Sequence, residues 1–144
     1  MVAVDREGGI RIVQFNAWAW NDEILTTHPE LLTGLFGDGI IVMPAIYPSV
    51  ATIFDNSILD PARAGVSNFG SQADLTNNLI WCAGFDLNGE HLVPGELGPL
   101  KPLDPLSYSF NDGGGNLCGC EGVQTEGCVA QSSALAPPSE EVAP

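Results

Sequence analysis

Cations are scarce in this chain: Arg6, Arg11, Arg63 and Lys101 stand against 18 acidic residues, a formal net charge of −14. A chain so acidic repels phosphate backbones and anionic headgroups, which excludes nucleic acid and anionic membrane surfaces as expected partners. Long apolar runs are missing too. The most apolar stretch, 39–47, is broken by Pro44 and falls far short of the roughly 20 residues that span a bilayer. No basic segment followed by an apolar one opens the sequence, so no signal peptide is expected. Histidine occurs only at 28 and 91, and neither has a local serine or cysteine constellation of a catalytic type. A phosphate-binding glycine loop with lysine and a calcium loop are both absent.

What remains is a chain of 144 residues, long enough for one domain with one core. Its local signals are mostly those of strands. Residues 10–20, rich in β-branched and aromatic side chains and bounded by Gly8-Gly9 and Asn21-Asp22, read as one strand with a bulge near Val13. Residues 40–43 and 50–54 read as two more. Asn88-Gly89 sits between two apolar-containing runs and predicts a tight hairpin turn with positive φ at both residues. Thr27 as cap, Pro29 in the first turn and Glu30 three residues on predict a short helix ended by Gly37. A single helical turn is expected at 60–65. Residues 71–80 fit either a short helix or the approach to a strand.

These signals add up to a mainly β fold, a small β-sandwich or barrel-like domain with one or two short helices, long loops and an extended C-terminal arm. The expected organisation is a core domain over 1–110 and a Gly/Cys-rich loop with a flexible arm over 111–144. Within the core, Pro99, Pro102 and Pro105 alternate with Leu97, Leu100, Leu103 and Leu106. This three-residue period is that of polyproline II, so 97–106 is expected to be an extended strap whose leucine edge packs on its own domain. After Phe110 there is no aromatic residue, lysine or arginine. The composition of 132–144 is that of a mobile tail.

Chemistry is sparse. Cys82, Cys118, Cys120 and Cys128 are the candidate metal ligands, because a fourth thiolate at Cys82 would close a tetrahedral zinc site. The C-x-C spacing followed by seven residues fits no usual zinc or iron–sulfur pattern, however, and no metal or other cofactor is expected. Free thiols and disulfides in any of three pairings are the other states open to the four sulfurs. The carboxylate pairs Asp22/Glu23, Asp55/Asp60 and Asp86/Glu90 follow from an acidic composition and carry no signal of acid–base catalysis. The segments Gly37-Asp38-Gly39 and 111–116 read as turns.

The expected function is accordingly structural and not enzymatic. The chain reads as a component of a large assembly, a virion protein acting as capsid decoration, minor capsid or tail-associated subunit, made in the host cytoplasm. Its expected partners are other protein subunits, in a homo- or hetero-oligomer. The alternative is a small metal-binding or redox module built on the Cys118/Cys120/Cys128 loop.

Overall fold

The computed structural model describes residues 2–4, 8–13, 16–29, 34–44, 47–93 and 104–136. These residues form strands joined by turns and loops, with no helix among them. A short strand β1 (Val2–Val4) precedes the first repeating unit, made of β2 (Ile10–Val13), β3 (Asn16–Trp20) and β4 (Glu23–Leu25). The second unit is β5 (Ile40–Met43), β6 (Val50–Phe54) and β7 (Ser57–Leu59). The third is β8 (Ala64–Phe69), β9 (Gln72–Thr76) and β10 (Leu79–Trp81). The fourth is β11 (Phe85–Glu90), β12 (Ser109–Asp112) and β13 (Leu117–Cys120). It is followed by β14 (Val123–Glu126) and β15 (Ala130–Gln131).

Pairing runs between units, never within one. Strand β5 lies parallel between β2 and β8, β6 between β3 and β9, and β7 between β4 and β10. The chain therefore winds as a coil of three-stranded rungs, four deep, with three parallel sheets as its faces. Only β1 on β2 and β14 on β13 pair antiparallel among the named strands. This is a parallel β-solenoid, in which each rung contacts its neighbours and the core is one continuous stack.

The mainly β expectation stands, and its finer form changes. A sandwich or closed barrel joins its strands by hairpins, whereas here consecutive strands turn a corner into a different sheet. Residues 10–20 are two strands in two sheets, β2 and β3, so the loss of alternation near Val13 marks a corner and not a bulge. Asn88 and Gly89 lie inside β11, paired in parallel with Ser67 and Asn68 of β8. The expected hairpin is absent because the Asn-Gly pair is held in a ladder, with a Tyr108 ring 2.1 Å from where a Gly89 Cβ would sit. The expected helical turn at 60–65 is a bend leading into β8, and 71–80 is strand, corner and strand. Thr27, Pro29, Leu35, Phe36 and Gly37 are not helical. Residues 30–33 of that predicted helix lie outside the described residues.

The core consists of inward columns, one residue per rung. Ile24, Ile58, Ile80 and Cys118 form one. Ala17, Ala51 and Ala73 form another, with Phe110 at the same position of rung four. Ile10, Ile40, Val66 and Leu87 form a third. Each fully buried Ile or Leu is worth roughly 1.5–3 kcal/mol. At the corner entering the first face, Gly39 and Gly65 allow the backbone close to the neighbouring column. A Cβ on Gly65 would meet Ile80 Cγ2 at 2.3 Å, and one on Gly39 would meet Ile58 Cγ2 at the same distance.

The outer surface of the first sheet is covered as well. Ile41, Met43, Phe69 and Leu92 make a second small apolar cluster, against which Phe36 and Leu106 pack. Leu92 and Leu106 exchange backbone hydrogen bonds of 2.9 Å. Leu106, the last leucine of the proline-leucine strap, thus packs on its own domain; residues 94–103 lie outside the described residues. The domain boundary expected after Phe110 falls inside β12, between two residues of one ladder.

Candidate docking site on the first rung

The second corner of each rung follows a common pattern. A residue with positive φ (Asn21, Asp55, Asn77, Gly115) precedes a polar residue (Asp22, Asn56, Asn78, Asn116). Asparagine and aspartate tolerate this left-handed conformation because their short polar chains bond locally, and glycine has no Cβ to clash. The three asparagines are buried and stacked. Asn56 Nδ2 donates to the Ala19 carbonyl, Asn78 Nδ2 to that of Ile53 and Asn116 Nδ2 to that of Leu75. The Oδ1 atoms accept in turn from the backbone N–H of Asp22, Asn56 and Asn78, at 3.0–3.1 Å. Each side chain thereby satisfies backbone groups that the corner takes out of the ladder. The ladder sets the register of all four rungs and so fixes where each outward side chain stands.

The outward side chains of the second sheet change character along the stack. In rung one they include Trp18 and Trp20, which are 65% and 62% exposed. Trp20 stacks on Phe54 of rung two, with ring centroids 5.8 Å apart. In rungs three and four the same face is polar: Gln72 Nε2 and Asn111 Nδ2 both donate to Asp74. Leu25, at the end of β4, is 57% exposed. Beneath these exposed groups the rung is well packed, with Ala19 and Ile24 no more than 5% exposed. Two exposed indoles and a leucine thus stand on the outside of a rung whose own core is closed, while the exposed Val123 and Val129 beside the fourth rung are smaller. Among the described residues, no strand pairs with the outer edge of β3 or β4.

The residues singled out in the sequence fall elsewhere. Cys82 is bonded to Cys120 and Cys118 to Cys128, so none of the four remains as a thiolate ligand. Among the described residues, no three histidine, cysteine, aspartate or glutamate side chains group as a metal site. His28 is exposed in the loop after β4, and His91 stacks on Tyr108 at 4.9 Å. Asp55 and Asp60 both occupy exposed corners with positive φ, and Asp22 supports the asparagine ladder through its N–H. Asp38 is fully buried, paired with Arg63 and accepting from the Ala64 N–H. Phe36 lies over the same guanidinium at 5.7 Å.

Asp86 and Glu90, four residues apart on β11, hold the described segment from Val129 to Ser133. Asp86 accepts from the Val129 N–H, and buried Glu90 accepts from Ser132 Oγ, Ser133 N–H and Ser133 Oγ. Burial works to raise the Glu90 pKa, but these hydrogen bonds outweigh it and hold the carboxyl below its ordinary value. Arg63 adds a further bond to Ser133 Oγ. The arm expected to be mobile beyond Ser132 is thus fastened through Ser133; residues 137–144 lie outside the described residues. Asp112 is held below its ordinary pKa by the Gly114 N–H and the Asn116 amide, a bond that belongs to the corner geometry. A shallow hollow of about 380 Å³ lies beside it, lined by Gly114, Gly115, Asn116, Leu117 and Gly127. No helix among the described residues is long and apolar enough to cross a membrane.

No protein-family model, curated protein or solved structure shows a significant match to this chain.

Proposed function

We propose that this protein is a structural subunit of a larger assembly and that its first rung is the face it presents to a neighbour. The observation that carries the reading is the unpaired edge of β3 and β4 with Trp18, Trp20 and Leu25 exposed beside it. Solenoid ends are ordinarily capped, because an open strand edge invites pairing with another chain. An exposed aromatic pair on such an edge is costly for a free subunit and useful for one that docks. The solenoid itself is a rigid spacer, with the asparagine ladder running through it. The net charge of −14 suits a solvent-facing component and disfavours contact with packaged nucleic acid.

A virion is the proposed setting, with the chain as capsid decoration, minor capsid or tail-associated subunit. The two disulfides support a destination that is oxidising, as the outside of a released particle is. The test is size fractionation of native source material followed by quantification of the chain. Recovery in fixed stoichiometry with particle proteins is the expected result, and recovery only as a free species would overturn the reading. The same fractions from a Trp18→Ala/Trp20→Ala strain should lose the chain from the particle peak.

A further inference from the structure

We propose that the outer edge of β3 receives an extended arginine- or lysine-bearing segment of the partner as an added strand, with the partner's cations over Trp18 and Trp20. The inference rests on the reading of the first rung as the docking end and adds the partner's chemistry. Backbone groups along one side of β3 have no ladder partner among the described residues, which is the requirement for strand addition. Alternation along β3 puts Ala17 and Ala19 inside and Trp18 and Trp20 outside. An added strand would lie about 4.8 Å away, bringing its own outward side chains beside the two indoles. That spacing is within the roughly 6 Å at which a guanidinium or ammonium interacts with an indole face.

Charge selects among possible strands. Eighteen acids face four cations in the whole chain, and Arg63 is already paired with buried Asp38. Glu23 and Asp55 are exposed close to β3: Glu23 lies three residues beyond its end, and Asp55 follows the Phe54 that stacks on Trp20. A basic segment is drawn to this edge, whereas a second copy carrying −14 is repelled. The other open edge of the same sheet, β12, presents Ser109 and Asn111 outward and has no exposed aromatic. The three-residue β4 is too short to hold a strand alone.

The test uses the full chain and a short fluorescent peptide of alternating arginine and valine, followed by anisotropy and by tryptophan emission. Three comparison peptides accompany it: one with glutamate for arginine, one with alternate backbone nitrogens methylated, and one with the same composition and proline at its centre. The basic peptide should bind and shift tryptophan emission. Methylation or proline should weaken binding about tenfold, because strand addition needs the backbone donors. Trp18→Ala/Trp20→Ala should weaken it about tenfold as well, with thermal unfolding showing the variant folded; if it is not, Trp18→Phe should bind with intermediate affinity. Equal binding of native and methylated peptides, or of arginine and glutamate peptides, would overturn the inference. So would absence of binding at about millimolar peptide, the weak end of specific affinities. Particle occupancy separates the two readings. A tryptophan variant that leaves the particle although no basic strand binds removes this inference and leaves the docking end standing. A bound strand with occupancy unchanged removes the docking end and keeps the edge chemistry.

Discussion

The two ends of the solenoid are closed to different degrees. The fourth rung is closed by covalent and polar fastenings: the Cys118–Cys128 bond starts from an inward core position, β14 folds back on β13, and β15 covers part of β11. Glu90 and Arg63 then fasten Ser132 and Ser133. At the first rung, β3 and β4 keep an unpaired edge among the described residues, and Trp18, Trp20 and Leu25 are exposed beside it. A repeat fold has the same problem at both ends, since the last rung on each side lacks a neighbour to pair with. Here the fourth rung covers two of its three edges and leaves β12 open, whereas the first covers only β2, with β1; the open edge of β3 is the one we propose for a partner.

The comparison is broken most directly at the closed end. Cys82 and Cys120 lie 38 residues apart, and closing a loop of that length is worth up to about 4 kcal/mol on chain-entropy grounds. The 10-residue Cys118–Cys128 loop is worth up to about 3 kcal/mol on the same basis. Cys82→Ala/Cys120→Ala should therefore lower unfolding stability the most, and Cys118→Ala/Cys128→Ala next, with an added packing loss because Cys118 is fully buried. Chemical denaturation of the oxidised wild type beside both double variants measures it. Equal stability of all three would mean that the bonds do not close this end.

Between the ends, the asparagine ladder should carry the next largest effect. Asn78→Ala removes the acceptor for the Asn56 N–H and the donor to the Ile53 carbonyl, all in buried surroundings. Leaving two such groups unpaired should cost about 3 kcal/mol. Asn77→Ala, exposed one residue earlier, should cost about 1 kcal/mol, through its positive φ alone. Urea midpoints of the two variants decide whether the buried ladder or the corner conformation matters more.

This ladder is also where the fold is legible in the sequence. Ala17 to Leu25, Ala51 to Leu59 and Ala73 to Trp81 share one pattern: alanine, outward residue, apolar residue, outward residue, two Asn/Asp, outward residue, isoleucine, outward residue. A second signal is glycine before a β-branched residue at Gly9-Ile10, Gly39-Ile40 and Gly65-Val66. The repeat is hard to see because successive corners are separated by 34, 22 and 38 residues. The insertions sit between β4 and β5, between β5 and β6, and between β11 and β12, so no fixed period survives. Strand positions such as 40–43 and 50–54 were readable from β-branched content. Their parallel pairing was not, because pairing between rungs leaves no mark on local turn chemistry. Asn88-Gly89 shows the converse: a strong local hairpin signal overridden by parallel pairing of both residues with β8 and of Asn88 with β15. The cysteine pairing was likewise beyond the sequence, since four cysteines allow three pairings. The exposure of Trp18 and Trp20 was beyond the sequence too, since an aromatic residue in a strand carries no local mark of the face it takes.

A smaller effect is expected from the non-covalent part of the cap. Truncation after Gln131 should leave the solenoid folded but less stable by about 1–2 kcal/mol, the worth of a few hydrogen bonds to a charged acceptor. The pH dependence identifies the group responsible. The folded-state pKa of Glu90 lies below its ordinary value, so its stabilising contribution is fully present above the ordinary glutamate range and is lost as pH falls through the folded-state pKa. The wild type should thus gain stability with rising pH through that window. The truncated chain and Glu90→Gln should show a shallower acid limb. An unchanged acid limb in both would mean that Glu90 does not hold the segment.

The smallest stability effect should come from the open end, and its smallness is the informative part. Trp18→Ala exposes little that is not already in water, because 65% of that side chain's residue surface is accessible in the folded chain. Trp20→Ala also loses the stacked contact with Phe54, a pair worth roughly 0.5–1.5 kcal/mol beyond area burial. The double variant should therefore lose about 1 kcal/mol or less, well below either cap disulfide. Its solution behaviour should change more than its stability, with less adsorption to apolar matrices as two exposed indoles disappear. Thermal unfolding beside retention on an apolar resin measures both. A loss of about 3 kcal/mol or more would place the indoles among the packed core contacts, and the first rung would then be a second cap and not a surface kept for a partner.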